Sequence, residues 1–119
     1  YRKAAEQGDV YAQYQLGRMY WFGEGVPEDA KEAVKWLRKA AAQGASPAQY
    51  ILGLMYDNGE GVLEDRVTAY AWWNIAAANG SKDAKSNKPK IAKKMTPEDI
   101  SKAQALSKEM VKKNPKLLK

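Results

Sequence analysis

Small and apolar side chains recur along the first two thirds of the chain with helical spacing. Ala12, Leu16, Met19 and Tyr20 fall at i, i+4, i+7 and i+8, one face of a helix, and Ala33, Trp36, Leu37 and Ala40 form a second such stripe. Between the stripes lies GEGVPED, where Gly23 and Gly25 tolerate positive φ and permit a sharp reversal. Asp29, with Glu32 three residues on, is a capping-box start for the second helix, and Gly44 stands where a helix ends in the left-handed conformation. The pattern predicts two antiparallel helices joined by a short loop.

The same pattern returns 36 residues later. Residues 9–44 and 45–80 align without a gap and share 19 identities, and YRKAAEQG at 1–8 matches residues 37–44 at six of eight positions. The opening residues therefore read as the end of an earlier repeat, followed by repeats at 9–44 and 45–80 and a distinct segment at 81–119, all within one repeat domain. Gly17 and Gly53 are mid-helix glycines, each costing about 1 kcal/mol relative to Ala, which predicts close helix packing at both. One helix pair cannot bury its apolar face alone. Pairs of this kind stack, so the fold expected is all-α: an α-solenoid of antiparallel helix pairs whose first helices form an extended concave surface.

The string A-x-Y-x-L-G-x-M-Y-x-x-G-x-G-V-x-x-D, then W and A-A-x-x-G, is carried by Ala12, Tyr14, Leu16, Gly17, Met19, Tyr20, Gly23, Gly25, Val26, Asp29, Trp36, Ala40, Ala41 and Gly44, and it recurs in the second block. It closely resembles the Sel-one-like repeat family, relatives of tetratricopeptide repeats, over residues 1–80. The resemblance implies a right-handed solenoid serving as an adaptor in protein complexes, many of them bacterial, without universal catalytic residues. MTPEDISKAQALSKEM is similar to the closing helix that often follows the last repeat of such arrays.

The segment 81–119 leaves the pattern after Ala84, with Lys88 and Pro89 where the repeats carry leucine and glycine. Pro89 predicts that a helix here starts near Asn87 or kinks. Thr96, Pro97 and Asp99 form a strong helix start, Ile100, Ala103, Leu106, Met110 and Val111 supply an apolar stripe, and Asn114-Pro115 ends it. A C-terminal capping hairpin with a polar outer face is expected.

The net charge of +6 sharpens this division. Residues 1–80 hold 8 Lys/Arg against 10 Asp/Glu, while 81–119 hold 12 Lys against 4 Asp/Glu. That basic tail raises an alternative function, binding of an anionic polymer or surface such as nucleic acid. It contains neither arginine nor an aromatic residue, so forked phosphate contacts and stacking platforms are missing, and nucleic acid is the less favoured partner.

With no Cys and no His among 119 residues, disulfides, thiolate or imidazole metal sites and Ser-His-Asp triads are excluded, and no cofactor or metal is called for. The carboxylate pairs Glu28-Asp29 and Glu64-Asp65 repeat at equivalent places, which points to helix starts rather than acid/base chemistry. Asn79-Gly80-Ser81 matches a glycosylation sequon at a helix-closing position. The chain is expected not to be an enzyme. A mean hydropathy of −0.67 and no long apolar run argue against a membrane helix. The opening at Tyr1 is expected to reflect a missing or processed N-terminus, so for a soluble chain periplasmic and secreted locations fit as well as a cytoplasmic one, and oligomeric state is left open.

What remains is the first-helix surface opposite the packing stripe. Tyr14, Arg18 and Trp21 share it, with Tyr11 one turn earlier; Tyr50, Leu54 and Asp57 form the equivalent line after Pro47. Arg18/Leu54 and Trp21/Asp57 differ between repeats, as free positions do, and Tyr, Trp and Arg are the types enriched at binding hot spots. Tyr11, Tyr14, Arg18, Trp21, Tyr50, Leu54 and Asp57 are therefore the candidate contacts for a protein or peptide partner, whereas Trp36 and Trp72 belong to the core.

Overall fold

The computed structural model describes residues 2–25 and 27–118. Tyr1 of the partial first repeat and Val26 of the loop motif lie outside the described residues. Among the described residues seven α-helices follow in order: α1 (Arg2–Glu6), α2 (Val10–Phe22), α3 (Ala30–Ala42), α4 (Ser46–Asn58), α5 (Arg66–Ala78), α6 (Lys82–Ala92) and α7 (Pro97–Lys113), with a 3-10 turn at Pro115–Leu117. α2 pairs with α3 and α4 with α5; α4 also packs on α3, and α6 and α7 both pack on α5. The stack measures 43 × 27 × 22 Å.

The helix boundaries follow from local chemistry. Asp9, Asp29, Asp65, Ser81 and Thr96 each accept a backbone N–H from the first turn of the helix they precede. Asp29 makes only half of the expected capping box, because its own N–H donates to the Tyr20 carbonyl at 2.9 Å, tying α3 back to α2. Asp65 and Tyr56 repeat that bond at 2.8 Å. In the second loop Gly61 has φ +71°, and a Cβ there would lie 2.6 Å from the Ala30 carbonyl oxygen, so the loop presses directly on the start of α3.

The mid-helix glycines are close-approach points. A Cβ on Gly17 would lie 2.6 Å from Leu37 Cγ, and one on Gly53 would overlap the indole edge of Trp73. Trp73 uses that space to donate its Nε1–H to the Tyr50 carbonyl at 2.9 Å. Trp36 and Trp72 are buried in the core, and the Lys35 and Lys39 ammonium groups lie 5.2 and 4.7 Å from the Trp36 ring centroid.

Two features tie one pair to the next with the 36-residue period. Arg2 donates to the Tyr20 hydroxyl and Arg38 to the Tyr56 hydroxyl. Gln13 and Gln49, buried polar side chains, donate to the carbonyls of Ala5 and Ala41 at 3.0 and 3.1 Å. Each also accepts from the end of its own pair's second helix, Gln13 from Gln43 and Gln49 from Asn79. Asn79 is one methylene shorter than Gln43, and here the C-terminal segment folds in: the Leu117 carbonyl accepts from Gln49 at 2.9 Å and Asn79 at 2.7 Å. Asn114 donates to the Ala42 carbonyl at 3.0 Å, and Leu117 is 4% exposed.

One expectation is corrected. α6 does not begin near Asn87; it starts at Lys82 and runs through Pro89 to Ala92. Ser81 caps it, and Ala84 and Ile91 are both buried in a cluster with Ala69, Trp73 and Ala76 of α5. Burial at both ends of the helix outweighs the hydrogen bond that Pro89 cannot give.

Candidate functional site

The first helices of successive pairs leave a groove between them. It encloses about 490 Å³ and is lined on one side by Tyr14, Arg18, Trp21 and Phe22 of α2. Opposite lie Ser46, Pro47, Tyr50 and Ile51 of α4, and Ser81, Lys82 and Asp83 close one end where α6 begins. Spacing along α2 places its four side chains on one strip, and the Asp9 cap and the Tyr20–Asp29 bond fix both ends of that helix.

Arg18 is partly buried, with its guanidinium carbon 5.7 Å from the ring centroids of both Tyr14 and Phe22, a cation held over two aromatic faces. The Trp21 and Phe22 rings lie 4.7 Å apart, and Trp21 Nε1 donates to Glu60 Oε2 at 3.3 Å. Tyr50 joins the groove to the core: its ring stacks on Trp73 at 5.9 Å and its hydroxyl accepts from Asn87 Nδ2 at 2.9 Å. Burial, and then the negative charge of Asp83, hold the Tyr50 hydroxyl above its ordinary pKa. Lys88 is lowered by burial, its ammonium 5.3 Å from the Tyr70 ring.

Of the seven residues singled out from the sequence, Tyr14, Arg18, Trp21 and Tyr50 line this groove. Leu54 and Asp57 line a separate hollow of about 200 Å³ with Trp73, Asn87 and Lys94. Asp57 is also engaged with Arg66 at 3.7 Å. Tyr11, 62% exposed, lies outside the lining of both. The sequence reading missed Phe22, Ser46, Ile51, Ser81, Lys82 and Asp83. For Phe22 the signal was present: the position is Asn58 in the second block, so the repeat does not require its ring, yet it is aromatic and 51% exposed. The α6 residues reach the groove only through stacking on α5.

A stack of antiparallel helix pairs with a 36-residue period defines a helical-repeat solenoid, and comparison with known proteins makes the class specific. The family model for the Sel1 repeat matches residues 1–9, 10–44 and 46–81, and the chain belongs to that family. A crystal structure of a protective antigen from uropathogenic Escherichia coli with an SLR fold superposes at a TM-score of 0.91 with 39% identity over 98% of this chain. The chain spans only 25% of that protein. A Sel1 repeat protein from Oxalobacter formigenes is 44% identical over 75% of this chain and 67% of its own, at a TM-score of 0.73. No curated protein matches. Sel1 repeat proteins generally mediate protein–protein interaction and are typically non-catalytic scaffolds. Among the described residues, no helix is long and apolar enough to cross a membrane.

Proposed function

We propose that this chain is a non-catalytic interaction module that takes up a peptide or protein segment in the groove between α2 and α4. The observation that carries the reading is the strip of Tyr14, Arg18, Trp21 and Phe22 facing Pro47, Tyr50 and Ile51 across an open volume of about 490 Å³. Aromatic rings and an arginine left uncovered between two helices offer large contact area at small entropic cost, the usual chemistry of hot spots. Arg18→Glu combined with Trp21→Ala should abolish capture of bound segments while helical circular dichroism is unchanged. Undiminished capture by the double variant, with its helicity intact, would remove the groove from consideration.

A further inference from the structure

Resting on that reading of the groove, we propose that its occupant is an extended peptide segment carrying one acidic side chain beside an apolar or aromatic one, the carboxylate meeting the guanidinium of Arg18. The chain has four arginines. Arg2 and Arg38 each donate to a tyrosine hydroxyl on the next helix, and Arg66 is paired with Asp57. Arg18 is the exception. Among the described residues, the carboxylate ion pairs are Arg66–Asp57 and Lys113–Glu109. Arg18 is held by the Tyr14 and Phe22 rings instead.

The position is not one the repeat needs, since its counterpart in the second block is Leu54. Rings on either side orient the guanidinium, so less freedom is lost when its fork engages a carboxylate. Partial burial also lowers the local dielectric, so a carboxylate here is held more strongly than on open surface. The flanking lining of Trp21, Phe22, Pro47 and Ile51 accepts an apolar neighbour of that acid.

The α6 end of the groove restricts the match to a single acid. Lys82 adds a positive charge there, but Asp83 follows it, and Asp83 acts on Tyr50 as a nearby negative charge. Lys82 and Asp83 offset each other, so that end gives a second acid no net attraction, and the charge complementarity of the groove rests on one acid over Arg18.

The test begins with displayed random linear peptides selected on the whole chain. From a selected sequence, two synthetic peptides are made that differ only by Glu→Gln at the acid, and both are titrated by calorimetry and by NMR of the Trp21 indole N–H. Selected peptides should share one Asp or Glu beside an apolar residue, and the Gln peptide should bind at least about tenfold more weakly. Arg18→Gln should bind both peptides equally, and Arg18→Lys should recover part of the difference, which a folding defect would not do. A Gln peptide that binds as tightly as its Glu partner while shifting the Trp21 signal would overturn acid recognition and leave the groove standing. Selected peptides that shift neither Trp21 nor Tyr50 signals would overturn the groove itself.

Discussion

Replacing a mid-helix glycine by alanine ordinarily stabilises a helix by about 1 kcal/mol. At Gly53 the opposite sign is expected. A Cβ there would overlap Nε1 and Cδ1 of Trp73 and lie 2.9 Å from Cε2, so the indole must move. Trp73 is 2% exposed, donates to the Tyr50 carbonyl at 2.9 Å and stacks on the Tyr50 ring. Overpacking of this kind costs about 1–3 kcal/mol, and a buried N–H that loses its acceptor costs about 1–3 more. Set against the gain in helix propensity, Gly53→Ala should lose about 1–5 kcal/mol. Gly17→Ala is the control. Its Cβ meets the aliphatic Leu37 side chain at 2.6 and 2.7 Å, so it incurs the overpacking cost but orphans no polar group, and its loss should be smaller. Urea titration of both variants followed by circular dichroism measures the difference. A Gly53→Ala chain as stable as the parent, or less affected than Gly17→Ala, would refute the reasoning. Because Tyr50 also lines the groove, the displaced Trp73 should weaken peptide uptake as well.

Three further outcomes follow from the same contacts. Gln49→Leu removes the bonds of this buried amide to the Ala41 and Leu117 carbonyls and to Asn79, while Ala41 keeps the Gly44 N–H and Asn79 keeps Leu117, and should cost roughly 1–3 kcal/mol in urea titration and raise amide exchange at residues 114–118. Pro89→Ala restores a donor inside α6 and should stabilise the chain by about 2 kcal/mol; no change in the urea midpoint would show that the helix had already absorbed the missing bond. The Tyr50 pKa is raised by folding, so the native state favours the neutral phenol: its contribution is complete below the ordinary value of 10.0 and is lost as pH rises through the higher folded value. Lys88 acts in the opposite sense, its folded pKa lying below 10.5, and it cancels when Tyr50→Phe is compared with the parent; that variant should lose less stability between neutral and alkaline pH.

The helix pairs were legible because their information is local and stated twice: the apolar stripes, the Asp29 and Asp65 starts and the mid-helix glycines all recur at 36 residues. Pro89 misled because a local rule was applied where burial of Ala84 and Ile91 on α5 decides. The docking of Leu117 was not legible at all. It joins residues 68 positions apart through a backbone carbonyl, and a carbonyl leaves no trace in sequence. Buried Gln13 and Gln49 did leave one, as a shared polar residue beside Ala12 and Ala48 on the packing face. In the groove, helical spacing grouped Tyr14, Arg18 and Trp21 correctly, but it placed Leu54 and Asp57 on the same line as Tyr50, whereas stacking of α6 puts them in a separate hollow.

The four tryptophans divide in a way that bears on optical measurement. Trp36, Trp72 and Trp73 are 1, 9 and 2% exposed, whereas Trp21 is partly exposed on the groove, with its indole N–H on the Glu60 carboxylate. An aqueous quencher should reach Trp21 more readily than the other three, and a segment entering the groove would strip water from that same ring. The wall of the proposed binding groove therefore carries an intrinsic fluorophore whose spectrum would report occupancy against three more shielded emitters that report folding, with no label attached.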